Sequence, residues 1–116
     1  MKKVVKFGGS SLASAEQFTK VKDIICSDID RRYVVPSAPG KRFSGDTKVT
    51  DMLYTCYAAA EQDEDFSDKL AKIQARYNEI INGLGLTFHL TRSLRRLRQS
   101  LQQKLERNTQ PPVVNT

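Results

Sequence analysis

The stretch that most constrains the fold is Lys2-Lys3-Val4-Val5-Lys6-Phe7-Gly8-Gly9-Ser10-Ser11. A β-rich run stops in two glycines and two hydroxyls, and a helix-start signal follows within a few residues. Residues 2–7 read as a buried strand. The loop after it is lined by bare backbone N–H groups, because Gly8 and Gly9 have no Cβ to hold a phosphate oxygen away. Lys6, near the end of the strand, is a compact cation placed to reach the same oxygens. Ser10 and Ser11 add hydroxyl donors, and the next helix turns its positive end towards the loop. A Gly-Gly pair after a strand is by itself only a turn. The G-x-x-x-x-G-K-[ST] spacing of a P-loop is absent, and so is the third glycine of a dinucleotide fingerprint.

Ser14-Ala15-Glu16-Gln17 fits a capping box, and the helix it opens runs to about Ser27. Phe18, Val21, Ile24 and Ile25 form its inward stripe. A turn over residues 27–30 leads to a second strand, Arg32-Tyr33-Val34-Val35, closed by Ser37-Ala38-Pro39-Gly40. Strand, helix, strand over about 35 residues predicts a βαβ unit with parallel strands. A polar loop over 39–48 precedes a helix from about Lys48 to Ala60. An acidic break at 62–65 precedes a long helix from Phe66 to Asn82, ended by Gly83 and Gly85. Leu90, Leu94, Leu97, Leu101 and Leu105 then recur at three- and four-residue steps and predict a last helix over 91–107, with residues 110–116 frayed.

The net charge of +6 is unevenly spread. Residues 1–86 hold 13 Lys/Arg against 12 Asp/Glu, whereas residues 87–116 hold six basic residues against Glu106 alone. The basic excess therefore belongs to the tail and says little about the first part. No run of apolar residues is long enough for a membrane span or a signal peptide, so a cytoplasmic protein is expected. Cys26 and Cys56 lack metal-ligand spacing and read as two reduced, buried thiols. His89, the single histidine, reads as a surface residue.

Lys6-Phe7-Gly8-Gly9-Ser10-Ser11 closely resembles the opening of aspartokinases, in the amino-acid kinase superfamily. Two later segments strengthen the resemblance. Val34-Val35-Pro36-Ser37-Ala38 is similar to the family's tract at the end of the second strand, which closes over the phosphates. Asp46-Thr47-Lys48-Val49-Thr50-Asp51-Met52-Leu53 resembles the helix start whose threonine contacts the amino-acid substrate. Pro36 departs from the pattern, since proline inside a central strand removes a ladder donor and predicts a local break there. For Thr50 the alternative is a plain N-cap, with Asp51 favouring the helix dipole.

The resemblance covers about residues 2–86 and implies an α/β fold: a parallel βαβ core followed by helices, like the N-terminal part of the three-layer α/β/α sandwich. Residues 1–86 would be that part of an amino-acid kinase-like domain, and 87–116 an atypical basic helical tail. The family's Ser-x-Gly-Glu segment, nucleotide-base half and regulatory ACT domains have no counterpart in these residues, so a truncated chain, inactive alone, is expected.

The implied reaction is transfer of the ATP γ-phosphoryl group to the side-chain carboxylate of L-aspartate, the first step of the lysine/threonine/methionine pathway, with Mg2+ entering on ATP. Lys6 would be catalytic; Lys6, Gly8, Gly9, Ser10, Ser11 and Ser37 would hold the phosphates, and Thr50 the aspartate. No resident metal is implied. A homo-oligomer or a missing C-terminal half would be the macromolecular partner. The competing reading is a non-enzymatic helical module whose Arg92, Arg95, Arg96 and Arg98, beside the leucine stripe, bind nucleic acid or a partner helix. A charge run of this kind is more often a solvated face.

Overall fold

The computed structural model describes residues 1–87 and 90–109, with side chains as far as Arg107. Its elements are β1 (Lys3–Phe7), a 3-10 turn (Gly9–Leu12), α1 (Ala15–Cys26), β2 (Arg31–Pro36), α2 (Val49–Glu61), α3 (Ser67–Gly83) and α4 (Thr91–Thr109). The expected α/β unit is present: β1 and β2 pair in parallel, with α1 in the connection between them. Val4 faces Tyr33, Val5 faces Val34, Lys6 faces Val35 and Phe7 faces Pro36. Pro36 does not break the strand but ends it. The Ser37 N–H donates to the Phe7 carbonyl at 3.0 Å. Strand N–H groups alternate in direction, so the donor that Pro36 lacks would have pointed away from β1.

The first strand is not buried as expected, and the second is open too. Val4 is 70% exposed, and Tyr33, Val34 and Val35 are exposed as well. A parallel strand becomes buried when both faces are covered. Among the described residues the sheet is two strands wide, and its Val4–Lys6–Tyr33–Val35 face is open. In α1, Ser14 caps as predicted, its Oγ accepting from the Gln17 N–H at 3.3 Å. Val21 is buried and Phe18 and Ile25 are half-buried, but Ile24 is exposed. Val21 and Ile25, four apart, share the covered side, and Ile24 falls past its rim. Cys26, at the exposed end of α1, is likewise not buried; Cys56 is.

The main core lies among α2, α3 and α4. Cys56, Ala59 and Ala60 meet Phe66, Leu70, Ile73 and Leu101 there, with Leu94 and Leu97 packed at the margin. Burial pushes the Cys56 thiol and the Tyr77 phenol up from their ordinary values. From the leucine stripe of α4, Leu101 is thus buried in the core and Leu94 and Leu97 pack at its edge, while Arg92, Arg95, Arg96 and Arg98 face solvent. Among the described residues no helix is long and apolar enough to cross a membrane.

Gly85 closes α3 in the left-handed region, φ +67°. Its N–H donates to Asn82, and the Leu86 N–H reaches back to Ile81, each at 3.1 Å, the two-bond closure that glycine permits. Gly83 is the last residue of the helix itself. His89 and the stretch 110–116 lie outside the described residues.

Candidate functional site

Both strands run the same way, so both following loops emerge at one end of the sheet, the end where α/β proteins hold ligands. Here the two loops touch. The Gly40 N–H donates to the Gly9 carbonyl at 2.7 Å. A Cβ on Gly9 would lie 3.1 Å from the Ala38 oxygen, and one on Gly40 would lie 2.6 Å from the Gly9 carbonyl carbon. Glycine at 9 and 40 is what lets one backbone lie against the other.

Lys6, Gly8, Gly9, Ser10, Ser11 and Ser37 are accordingly gathered at this end, where the paired strands finish. Lys6, Gly8, Ser10 and Ser37 are exposed, and Gly9 and Ser11 half-buried. Gly8 is extended (φ −75°, ψ 172°) and opens the 3-10 turn. Two backbone donors of the set are already engaged: Ser11 N–H with the Gly8 carbonyl at 3.2 Å, and Ser37 N–H in the ladder. What these two residues can offer a ligand is their hydroxyls.

The third segment joins at the same place. The Val49 N–H, first in α2, donates to the Pro39 carbonyl at 2.9 Å. Thr50 is the second residue of the helix and not its cap; Lys48 is the N-cap, without a side-chain bond. Thr50 is exposed and lines an open apolar cavity of about 450 Å³ with Leu53, Tyr54 and Tyr57. Asp51 stands in the first turn, as the helix dipole favours.

An ion network that no motif announced lies behind the loops. Arg76 of α3 is 3% exposed. Its Nη1 donates to the Thr47 carbonyl at 3.0 Å, and its Nη2 donates to the carbonyls of Ala13, at 3.1 Å, and Gly40. Asp46 lies 3.5 Å from Arg76 and is held by Arg42 through Nε at 2.7 Å and the backbone N–H at 3.0 Å. Arg42 also reaches Glu79 at 2.7 Å. The Arg42 side chain and its backbone N–H hold the Asp46 carboxyl far below the usual carboxylate range. Burial, with Arg42 nearby, pushes the Arg76 guanidinium down, against Asp46 and Glu79; an arginine stays charged at neutral pH all the same. The signal for Arg76 was in the sequence: it stands three after Ile73 and four before Ile80, a charge inside the apolar stripe of a helix.

No family model matches the sequence. Individual proteins do. The chain is 48% identical over 87 residues to aspartokinase 3 of Bacillus subtilis (strain 168), a match covering 72% of this chain and 18% of that protein. It is 36% identical over 104 residues to the aspartokinase of Chlamydia pneumoniae, covering 88% of this chain and 21% of that one. The crystal structure of Clostridium acetobutylicum aspartate kinase superposes with a TM-score of 0.82 at 44% identity, over 86% of this chain and 23% of the other. The chain spans about a fifth of the length of these proteins. In sequence and in fold alike, this chain resembles a segment of the aspartokinases.

Proposed function

We propose that the touching glycine loops form the phosphate side of an aspartate kinase site, which moves the γ-phosphoryl group of MgATP onto the side-chain carboxylate of L-aspartate. A bond forms between a carboxylate oxygen and the γ-phosphorus, the bond from that phosphorus to the β–γ bridging oxygen breaks, and ADP leaves. The attacking group is already ionised at neutral pH, so no general base is needed. The protein's task is to bring two anions together and to balance the charge of the group in flight.

In this reading Lys6 offsets charge on the transferred phosphoryl. Gly8 and Gly9 present backbone to the phosphates at close range, Ser10, Ser11 and Ser37 donate hydroxyls, and Thr50 holds the aspartate. Mg2+ arrives with the nucleotide as part of the substrate. Residues 1–86 carry these groups, and α4 serves as packing for α2 and α3.

The observation that supports the reading most directly is the 2.7 Å bond from Gly40 N–H to the Gly9 carbonyl, which brings the two strand-end loops together. The test is a nitrogen-15 NMR titration of this chain with MgATP, magnesium pyrophosphate and L-aspartate. The expected result is amide shifts at Gly8–Ser11 and Ser37 with either phosphate ligand, and at Thr50 with aspartate. Phosphate-induced shifts confined to α4, or none at the loops, would overturn it.

A further inference from the structure

We propose that Arg76 is the positioning residue of this site: its buried guanidinium sets the spacing of the two glycine loops and of the start of α2. The proposal rests on the phosphate reading for its purpose, and on geometry alone for its substance.

Three carbonyls converge on one side chain from segments far apart in the chain: Ala13 after the first loop, Gly40 in the second, and Thr47 before α2. These are the three segments that carry Gly8–Ser11, Ser37 and Thr50. A guanidinium is a rigid planar fork with five donors, so it can hold several carbonyls at fixed separations. An ammonium on a flexible stem has three donors and no fixed plane. Arg76 comes from α3, which packs on both α1 and α2, so the fork is anchored in the body behind the loops.

The loops need such an anchor because their spacing is tight. Gly40 and Gly9 lie closer than any side chain would allow, and the bond between them is made by Gly40, the residue whose carbonyl Arg76 holds. Asp46, placed 3.5 Å away and fastened by Arg42, keeps a counter-charge beside the buried cation. Unpaired, a buried cation would be costly. Arg76 touches backbone rather than reacting groups, so it acts through the loops.

The experiment is native-state amide exchange by NMR on the wild-type chain and on Arg76→Lys, with MgATP titrations of both. A positioning role loosens the Gly40 amide selectively. Its protection should fall at least tenfold in Arg76→Lys relative to amides of Ile73 and Ala60 in the helical core, and loop affinity for MgATP should fall about tenfold. Gly40 protection that is unchanged, or that falls only as much as the core amides do, would overturn the proposal. If Arg76→Lys does not fold, the wild type decides. The Arg76 Nη protons and the Gly40 amide should then open as one unit as urea is raised, and separate opening would overturn it. Wild-type loop amides that ignore MgATP would sink the phosphate reading, while the exchange data would still decide whether Arg76 braces the loops.

Discussion

Gly83, at the end of α3, lies against Ala15, at the start of α1, so closely that a Cβ on Gly83 would stand 2.5 Å from the Ala15 Cβ. Two helices from different halves of the fold meet there without an intervening side chain. Intrinsic propensity favours alanine over glycine in a helix by up to about 1 kcal/mol. We expect the opposite outcome for Gly83→Ala, a loss of about 1–3 kcal/mol from forced repacking. Urea denaturation of the two proteins checks it, and a gain in stability would mean that α1 and α3 separate freely.

Leu101 is 5% exposed within the α2–α3–α4 core. Leu101→Ala should cost about 2–5 kcal/mol, as buried leucine truncations do. Arg95→Ala, on the exposed side of the same helix, should stay within about 0.5 kcal/mol. Midpoints from chemical unfolding separate the two. Equal small effects would show that α4 is an ornament rather than part of the core.

Acid should destabilise the chain through Asp46. Its folded pKa is depressed by Arg42 from the ordinary value of 3.8, so the unfolded chain binds the proton more readily. The stabilising contribution is complete above the unfolded value and drains away as pH falls below about 5, continuing well past 3.8. Thermal melts from pH 7 to pH 2 should show this loss, and Asp46→Asn should flatten part of it. Asp28, lowered by Lys3, and Asp65, lowered by the Ser67 N–H, act in the same direction. An acid limb identical in wild type and Asp46→Asn would refute the assignment.

Lys6→Ala bears on the proposed chemistry, in a chain of aspartokinase length that carries this segment. Contacts that strengthen in the transition state act on turnover. Losing one charged contact of that kind costs about 3 kcal/mol, roughly a hundredfold in kcat. Lys6→Arg should rescue poorly, because a planar fork does not replace a compact ammonium in a tight loop. Steady-state kinetics with ATP and aspartate varied separately are the check. A rise in the ATP KM with kcat intact would make Lys6 a ground-state anchor instead.

Much of the α/β plan was legible in local signals. Val4-Val5 before Gly8-Gly9, the Ser14–Gln17 cap, and the apolar spacing of α2, α3 and α4 each depend on neighbours within a few residues. Their positions are where that reading placed them. The differences lie where neighbours in sequence carry no information about neighbours in space. A strand's sequence states that it can be buried, not that anything covers it, so Val4 reads as buried and is open. A periodic stripe does not say where its edge falls, and Ile24 lies outside it. For Thr50 the alternative of a plain N-cap falls away, because Val49 is already helical and its N–H is held by the Pro39 carbonyl.

By itself, then, the sequence determined the elements, their order and the glycine loops after each strand, because turn chemistry and hydrophobic period act over short range. Only the tertiary structure decided that Gly9 and Gly40 would touch, and that Arg76 would reach Ala13, Gly40 and Thr47 across separations of 63, 36 and 29 residues. Those contacts hang on how α3 packs against the βαβ unit. That is a property of the whole chain folded, since one guanidinium can meet three carbonyls only where the fold brings their segments together, and once buried it would be costly without them.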